Sequence, residues 1–116
     1  MSKRRSGGAE RPPAFTINST TCPNGTVRVS PEGELDVATA PELLDALEEL
    51  RAKDTWFVLD LRKLHFMDST GLRVVVRVSR EVNEGGRTMR VIRGSDLVQK
   101  VFEVTGADEM VEYVDP

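Results

Sequence analysis

Cysteine is almost absent from this 116-residue chain: Cys22 is the only one, so no intramolecular disulfide can form. A lone thiol fits a reducing compartment, and with no electropositive setting in the sequence around it Cys22 reads as an inert residue near a strand end. Histidine is equally scarce, with His65 alone. With no His/Cys cluster there is no metal site to assign, and the acids read as solvated faces. Long apolar runs are missing as well. The longest, around Val74-Val75-Val76, is interrupted by Arg73 and Arg77, far short of the ~20 residues that cross a bilayer. Residues 1–13 lack the apolar stretch of a secretory signal, so the expected location is the cytoplasm, without membrane insertion.

The spacings that mark common enzymes are absent too. A nucleophile elbow needs glycine two residues before its serine, and Met67 stands there before Ser69. An aspartic-protease signature places glycine two residues after the acid, whereas Gly71 is three after Asp68. There is no Walker A pattern. His65 lies four residues before Ser69, but no third group is placed by sequence to orient it as a general base. No catalytic residue and no cofactor are assigned.

What remains is a charged, moderately apolar chain, 30% charged and 39% hydrophobic, long enough for one domain with a modest core. Residues 1–13 carry Lys3, Arg4, Arg5 and Arg11 against Glu10, a net +3, leaving 12 basic and 18 acidic side chains in the rest. An acidic domain is a poor nucleic-acid binder. The basic segment, with Gly7-Gly8 and Pro12-Pro13 and no aromatics, reads as a flexible N-terminal lead-in, and the domain is expected from 14 to 116.

Phe15-Thr16-Ile17 and Thr26-Val27-Arg28-Val29 flank the turn signal Pro23-Asn24-Gly25 and read as two strands. The second extends through Gly33-Glu34-Leu35, with Pro31 and Gly33 marking an irregularity or an edge. Thr39-Ala40-Pro41-Glu42 has the form of a capping box with proline in the first turn. Leu43, Leu44, Leu47 and Leu50 follow at helical spacing and should face the core. Trp56 to Leu61 predicts a strand buried on both faces. A second helix is predicted from about Ser69 to Asn83, ended by Gly85-Gly86, and a strand over Thr88 to Arg93. A third helix runs from a Ser95 cap to about Val104, with Gly106 after it, and Val111 to Val114 makes a last strand. The predicted class is α/β, a mixed central sheet of four to five strands with three main helices.

Chemical interest concentrates in Phe66-Met67-Asp68-Ser69-Thr70-Gly71-Leu72. Here a helix should begin, with an acid, two hydroxyls and a glycine. The plain use of such residues is a helix cap by Asp68 or Ser69, with Gly71 fitting under a neighbour. The sharper use is Ser69 as a phosphoacceptor, since a phosphoryl group adds about −1.5 to −2 charges where a partner had met a neutral hydroxyl.

That segment resembles the phosphorylation-loop motif of STAS domains, most closely those of bacterial anti-sigma-factor antagonists. Gly33-Glu34-Leu35-Asp36 with Thr39-Ala40 and the leucine-rich helix also match. So do the Gly85-Gly86 turn and Val101-Phe102-Glu103-Val104-Thr105-Gly106. The resemblance spans about residues 14–114. It implies an unphosphorylated form that binds an anti-sigma factor and releases sigma. That partner is commonly a serine kinase of the GHKL ATPase type using ATP and Mg²⁺, and a PP2C-type phosphatase restores the active form. Ser69 takes the acceptor position, with Thr70 as second choice, and Asp68, Gly71 and Asp36 form its environment. Asp68 would position or activate the hydroxyl. Glu34, Asp36, Met67, Asp68, Ser69, Thr70, Leu72 and Arg73 are the implied partner-binding residues. Phe66, Met67 and Leu72 are expected to form an apolar patch there, with the core as the alternative, favoured for Phe66. Many members have glycine where this chain has Arg73, a bulky cation able to alter partner choice or pair with a phosphate. Two alternatives stay open: a STAS scaffold or transport-complex subunit that works without phosphorylation, and a domain that binds or hydrolyses nucleotide itself.

Overall fold

The computed structural model describes residues 15–116, so the expectation for the basic lead-in lies outside the described residues. Six strands and three helices follow in order: β1 (Thr16–Thr21), β2 (Val27–Leu35), α1 (Ala40–Ala52), β3 (Phe57–Asp60), β4 (Leu64–Met67), α2 (Ser69–Glu84), β5 (Met89–Ile92), α3 (Asp96–Thr105) and β6 (Val111–Tyr113). A 3₁₀ turn, Ala107–Met110, joins α3 to β6. The sheet runs β1-β2-β3-β5-β6 and is mixed, β1 pairing antiparallel to β2 and the others parallel. The α/β class and the three helices are as predicted; the strand count is one higher.

The additional strand is β4, and it exists because β2 is long enough to be paired twice. Val27–Val29 pairs with β3, while Gly33–Leu35 pairs with β4, both in parallel. Gly33 opposes Leu64 but Glu34 opposes Phe66, so His65 is an extra residue, a bulge. Gly33 sits at φ +113°, which glycine adopts without penalty, and this is the irregularity its sequence position suggested. The bulge breaks the two-residue alternation: Leu64 and Met67 are buried while His65 and Phe66 both face out. His65 is therefore an exposed strand residue, and Phe66, expected mainly in the core, is 40% exposed.

Each helix buries one stripe. Leu43 and Leu47 of α1, Val75 and Val78 of α2, and Val98 and Phe102 of α3 are fully enclosed with Val29, Leu35, Leu59, Leu61 and Val91 from the sheet. Leu44 and Leu50 pack only at the edge of this core. Trp56 does not continue a doubly buried strand. It lies just before β3, 47% exposed, with the Arg87 guanidinium 4.1 Å above its ring. The ends of α3 follow the sequence: the Ser95 hydroxyl accepts from the Val98 amide, and Gly106 adopts φ +80°.

The expected capping box at α1 is replaced by a different lock. The Thr39 hydroxyl makes no bond to the Glu42 amide; it donates to the Glu34 carbonyl at 2.8 Å and accepts from the Asp36 amide at 2.9 Å. Asp36 Oδ1 accepts from the amides of Ala38 and Thr39 at 2.9 and 3.2 Å. Thr39 has helical φ/ψ, which turns its hydroxyl back toward β2 and away from the first turn.

Candidate phosphoacceptor and partner surface

The start of α2 is anchored to the sheet by Asp68. Its amide donates to the Leu35 carbonyl at 3.1 Å, continuing the β4–β2 ladder one residue past the strand. Its backbone is extended, and Oδ1 accepts from the Thr70 and Gly71 amides at 2.9 and 3.0 Å. This is an N-cap that satisfies two first-turn donors, a contribution of about 1 kcal/mol. Asp68 makes no hydrogen bond to the Ser69 hydroxyl, so the expected positioning contact is not formed here; its Oδ2 has no hydrogen-bond partner among the described residues.

Gly71 brings α2 against β2. A Cβ at this position would lie 2.6 Å from Leu35 Cγ, 2.9 Å from Cδ2 and 3.1 Å from the carbonyl oxygen. Gly71 therefore holds the helix start against β2 by close approach, while its amide donates to the Asp68 cap. Met67 and Leu72, expected in the partner surface, are 2% and 6% exposed. Met67 opposes Leu35 in the register, and Leu72 belongs to the buried stripe of α2, so both side chains are core. Asp36 is committed to the α1 turn, also without a bond to Ser69.

Outward-facing groups at this end are Glu34, Phe66, Ser69 and Arg73, with Thr70 and Asp68 half-buried. The Ser69 hydroxyl has no hydrogen-bond partner among the described residues. Beside it, an open groove of about 360 Å³ runs between α1 and α2, lined by Val37, Pro41, Leu44, Thr70, Arg73 and Arg77 among others. Its wall is mostly apolar, and Val37 is 72% exposed. Val37, Pro41 and Leu44 were missed as surface candidates; the only sequence signal was a valine in the turn after Asp36. A second depression of about 220 Å³, near Glu34, Asp36, Thr39 and His65, lies along the β2–β4 edge.

Farther along the same two helices, Glu48 and Glu81 meet Arg51 and Arg77 in four ion pairs of 2.7 to 3.6 Å. The Arg51 hydrogen bond holds the Glu48 carboxyl below its ordinary value against the opposing effect of burial. In the sheet, burial pushes the Asp60 carboxyl up, but the Arg62 guanidinium and amide, at 2.7 to 3.2 Å, outweigh it and hold the acid low. Burial, aided by the Asp108 carboxylate, lifts the Tyr113 phenol to about 12. No cluster of three or more His, Cys, Asp or Glu able to hold a metal occurs among the described residues. None of their helices is long and apolar enough to cross a membrane.

An open hydroxyl at a capped helix start, on a β4–α2 corner pinned to β2, sits in a fold shared with known proteins. The STAS domain profile matches residues 19–115. An anti-sigma-B factor antagonist of Staphylococcus aureus is 32% identical over 93 residues, covering 79% of this chain and 86% of the relative. Among solved structures, an anti-sigma factor antagonist from Mycobacterium paratuberculosis superposes with a TM-score of 0.79 at 23% identity, covering 89% of this chain and 87% of that one. The Bacillus cell fate determinant SpoIIAA in its phosphorylated form gives 0.65 at 22% identity, over 87% and 91% of the two chains. The chain belongs to the STAS domain family, among the anti-sigma factor antagonists.

Proposed function

We propose that this protein is the antagonist in a partner-switching circuit. Unmodified, it binds an anti-sigma factor and so releases sigma; modified at Ser69, it lets the anti-sigma factor go. The carrying observation is the Ser69 side chain, exposed at the first position of α2 and without a hydrogen-bond partner among the described residues. A hydroxyl engaged in capping would have to break its bonds to react; this one does not, because Asp68 caps in its place. The partner would contact Glu34, Asp68, Ser69, Thr70 and Arg73 and cover the apolar groove between α1 and α2.

The kinase is the anti-sigma factor itself, of the GHKL type, acting with ATP and Mg²⁺. Ser69 Oγ forms a bond to the γ-phosphorus, the bond from that phosphorus to the bridging oxygen breaks, ADP leaves, and the hydroxyl proton is released. The product carries about −1.5 to −2 charges beside Asp68 and Glu34, a surface no longer matched to a partner shaped for the neutral form. A PP2C-type phosphatase reverses the step by hydrolysis. The circuit operates in the cytoplasm, and the protein is substrate and binder, with no turnover of its own. Affinity for candidate anti-sigma factors tests this: Ser69→Ala should bind like the unmodified chain, and Ser69→Asp should bind at least tenfold more weakly. Equal binding by both would favour a scaffold that does not use the hydroxyl.

A further inference from the structure

We infer that Arg73 is the intramolecular ligand of a phosphoryl group on Ser69, and that this pairing withdraws its charge from the α1–α2 groove. The inference rests on the phosphoacceptor reading and adds what happens to the phosphate once it is there. Ser69 and Arg73 are four residues apart on α2 and both exposed. That spacing puts their Cβ atoms about 5–6 Å apart on one face, and an anion N-terminal to a cation is the favourable order. Helical side chains lean toward the N-terminus, so a long residue at the fourth position covers the surface over the first.

Two further observations select Arg73. The helix start offers the phosphate little else: Asp68 Oδ1 already accepts from the Thr70 and Gly71 amides, and the Leu72 amide donates to the Asp68 carbonyl at 3.0 Å. Only the Ser69 amide remains of the usual anion-binding set. Arg73 is also uncommitted. Arg77, one turn on, is held by Glu48 and Glu81 at 3.6 and 3.5 Å, whereas Arg73 has no carboxylate within 4.0 Å among the described residues. Charged or titratable groups closest along the chain to this corner are Asp68 at the N-cap of α2, Arg73 one turn into it, Glu34 and Asp36 at the end of β2, His65 on β4 and Glu42 in the first turn of α1. The acids repel a phosphate, and Arg77, the next cation along α2, is held by Glu48 and Glu81, which leaves Arg73, among the described residues, as the permanent cation free to pair with it.

Because Arg73 also lines the groove with Thr70 and Arg77, its recruitment changes the surface offered to a partner. A partner carboxylate seated on Arg73 must then compete with a phosphate tethered one turn away. The switch thus both adds a negative charge at Ser69 and removes a positive one from the groove.

The test installs phosphoserine at position 69 during translation, independent of any kinase, and follows the phosphate by ³¹P NMR titration at low salt. With Arg73 in place, its second pKa should lie roughly 0.3 below that in Arg73→Gln, the size expected of an exposed i,i+4 pair. The difference should vanish at about 1 M salt. Arg80→Gln, also exposed on α2 but remote, should match the parent chain. Repeating the pair in a His65→Gln background removes any contribution from the neighbouring imidazole. Equal values with and without Arg73 at low salt overturn the inference. A clear difference in a protein whose Ser69 no candidate kinase modifies would support the pairing and sink the phosphoacceptor reading.

Discussion

α1 and α2 begin in closely related ways and leave their hydroxyls in opposite states. Each follows a strand, each starts after an aspartate whose Oδ1 accepts two backbone amides, and each has a hydroxyl residue close behind. At α1 the hydroxyl, Thr39, closes the turn by donating to the Glu34 carbonyl and accepting from the Asp36 amide. At α2 the hydroxyl, Ser69, falls directly after the aspartate, inside the helix, where it faces out and bonds to nothing among the described residues. A two-residue difference in spacing decides which hydroxyl serves the fold and which is left for chemistry.

The largest effect on this comparison should come from Gly71→Val. The new side chain has to displace Leu35, with its Cβ alone 2.6 Å from Leu35 Cγ, and overpacking of this kind costs about 3 kcal/mol. Urea unfolding would measure it, and partner binding should fall as the α2 start moves off β2. Asp60→Ala, at a third aspartate that caps a turn, should cost about 2 kcal/mol through lost charged hydrogen bonds. The Asp60 carboxyl is held below the ordinary aspartate value of 3.8, so its contribution is present above that pH and is lost as the pH falls through the folded value. Thermal melts of the parent should decline over that acid range, more steeply than those of Asp60→Asn.

Smaller effects bear directly on the two helix starts. Thr39→Ala and Asp68→Ala should each lower stability by about 1 kcal/mol, one by opening the α1 turn and the other by uncapping α2. Ser69→Ala should change stability by less than about 0.5 kcal/mol, as expected of an exposed side chain without partners. A loss as large as that of Thr39→Ala would mean that Ser69 serves the fold after all.

Much of this was legible from local pattern. The capping serine and final glycine of α3, the leucine spacing of α1 and the glycine stop after α2 are written in adjacent residues, and the blocks around Asp36 and Asp68 carry the family. What was not legible depended on distant contacts. β4 is four residues long and its bulge at His65 erases the alternation that announces a strand. Thr39 fits a capping box by sequence, but Asp36 three residues earlier captures it. Met67 and Leu72 look like surface beside Ser69 until the register opposite Leu35 and the stripe of α2 turn them inward. The groove at Val37, Pro41 and Leu44 arises only from how α1 lies on α2.

Intact mass with site mapping, after incubation with ATP, Mg²⁺ and candidate kinase anti-sigma factors, tests the central claim most directly. The account predicts one phosphate, on Ser69, absent in Ser69→Ala and accompanied by release of the complex. A phosphate on Thr70 instead, or no modification by a kinase that binds the chain tightly, would contradict it.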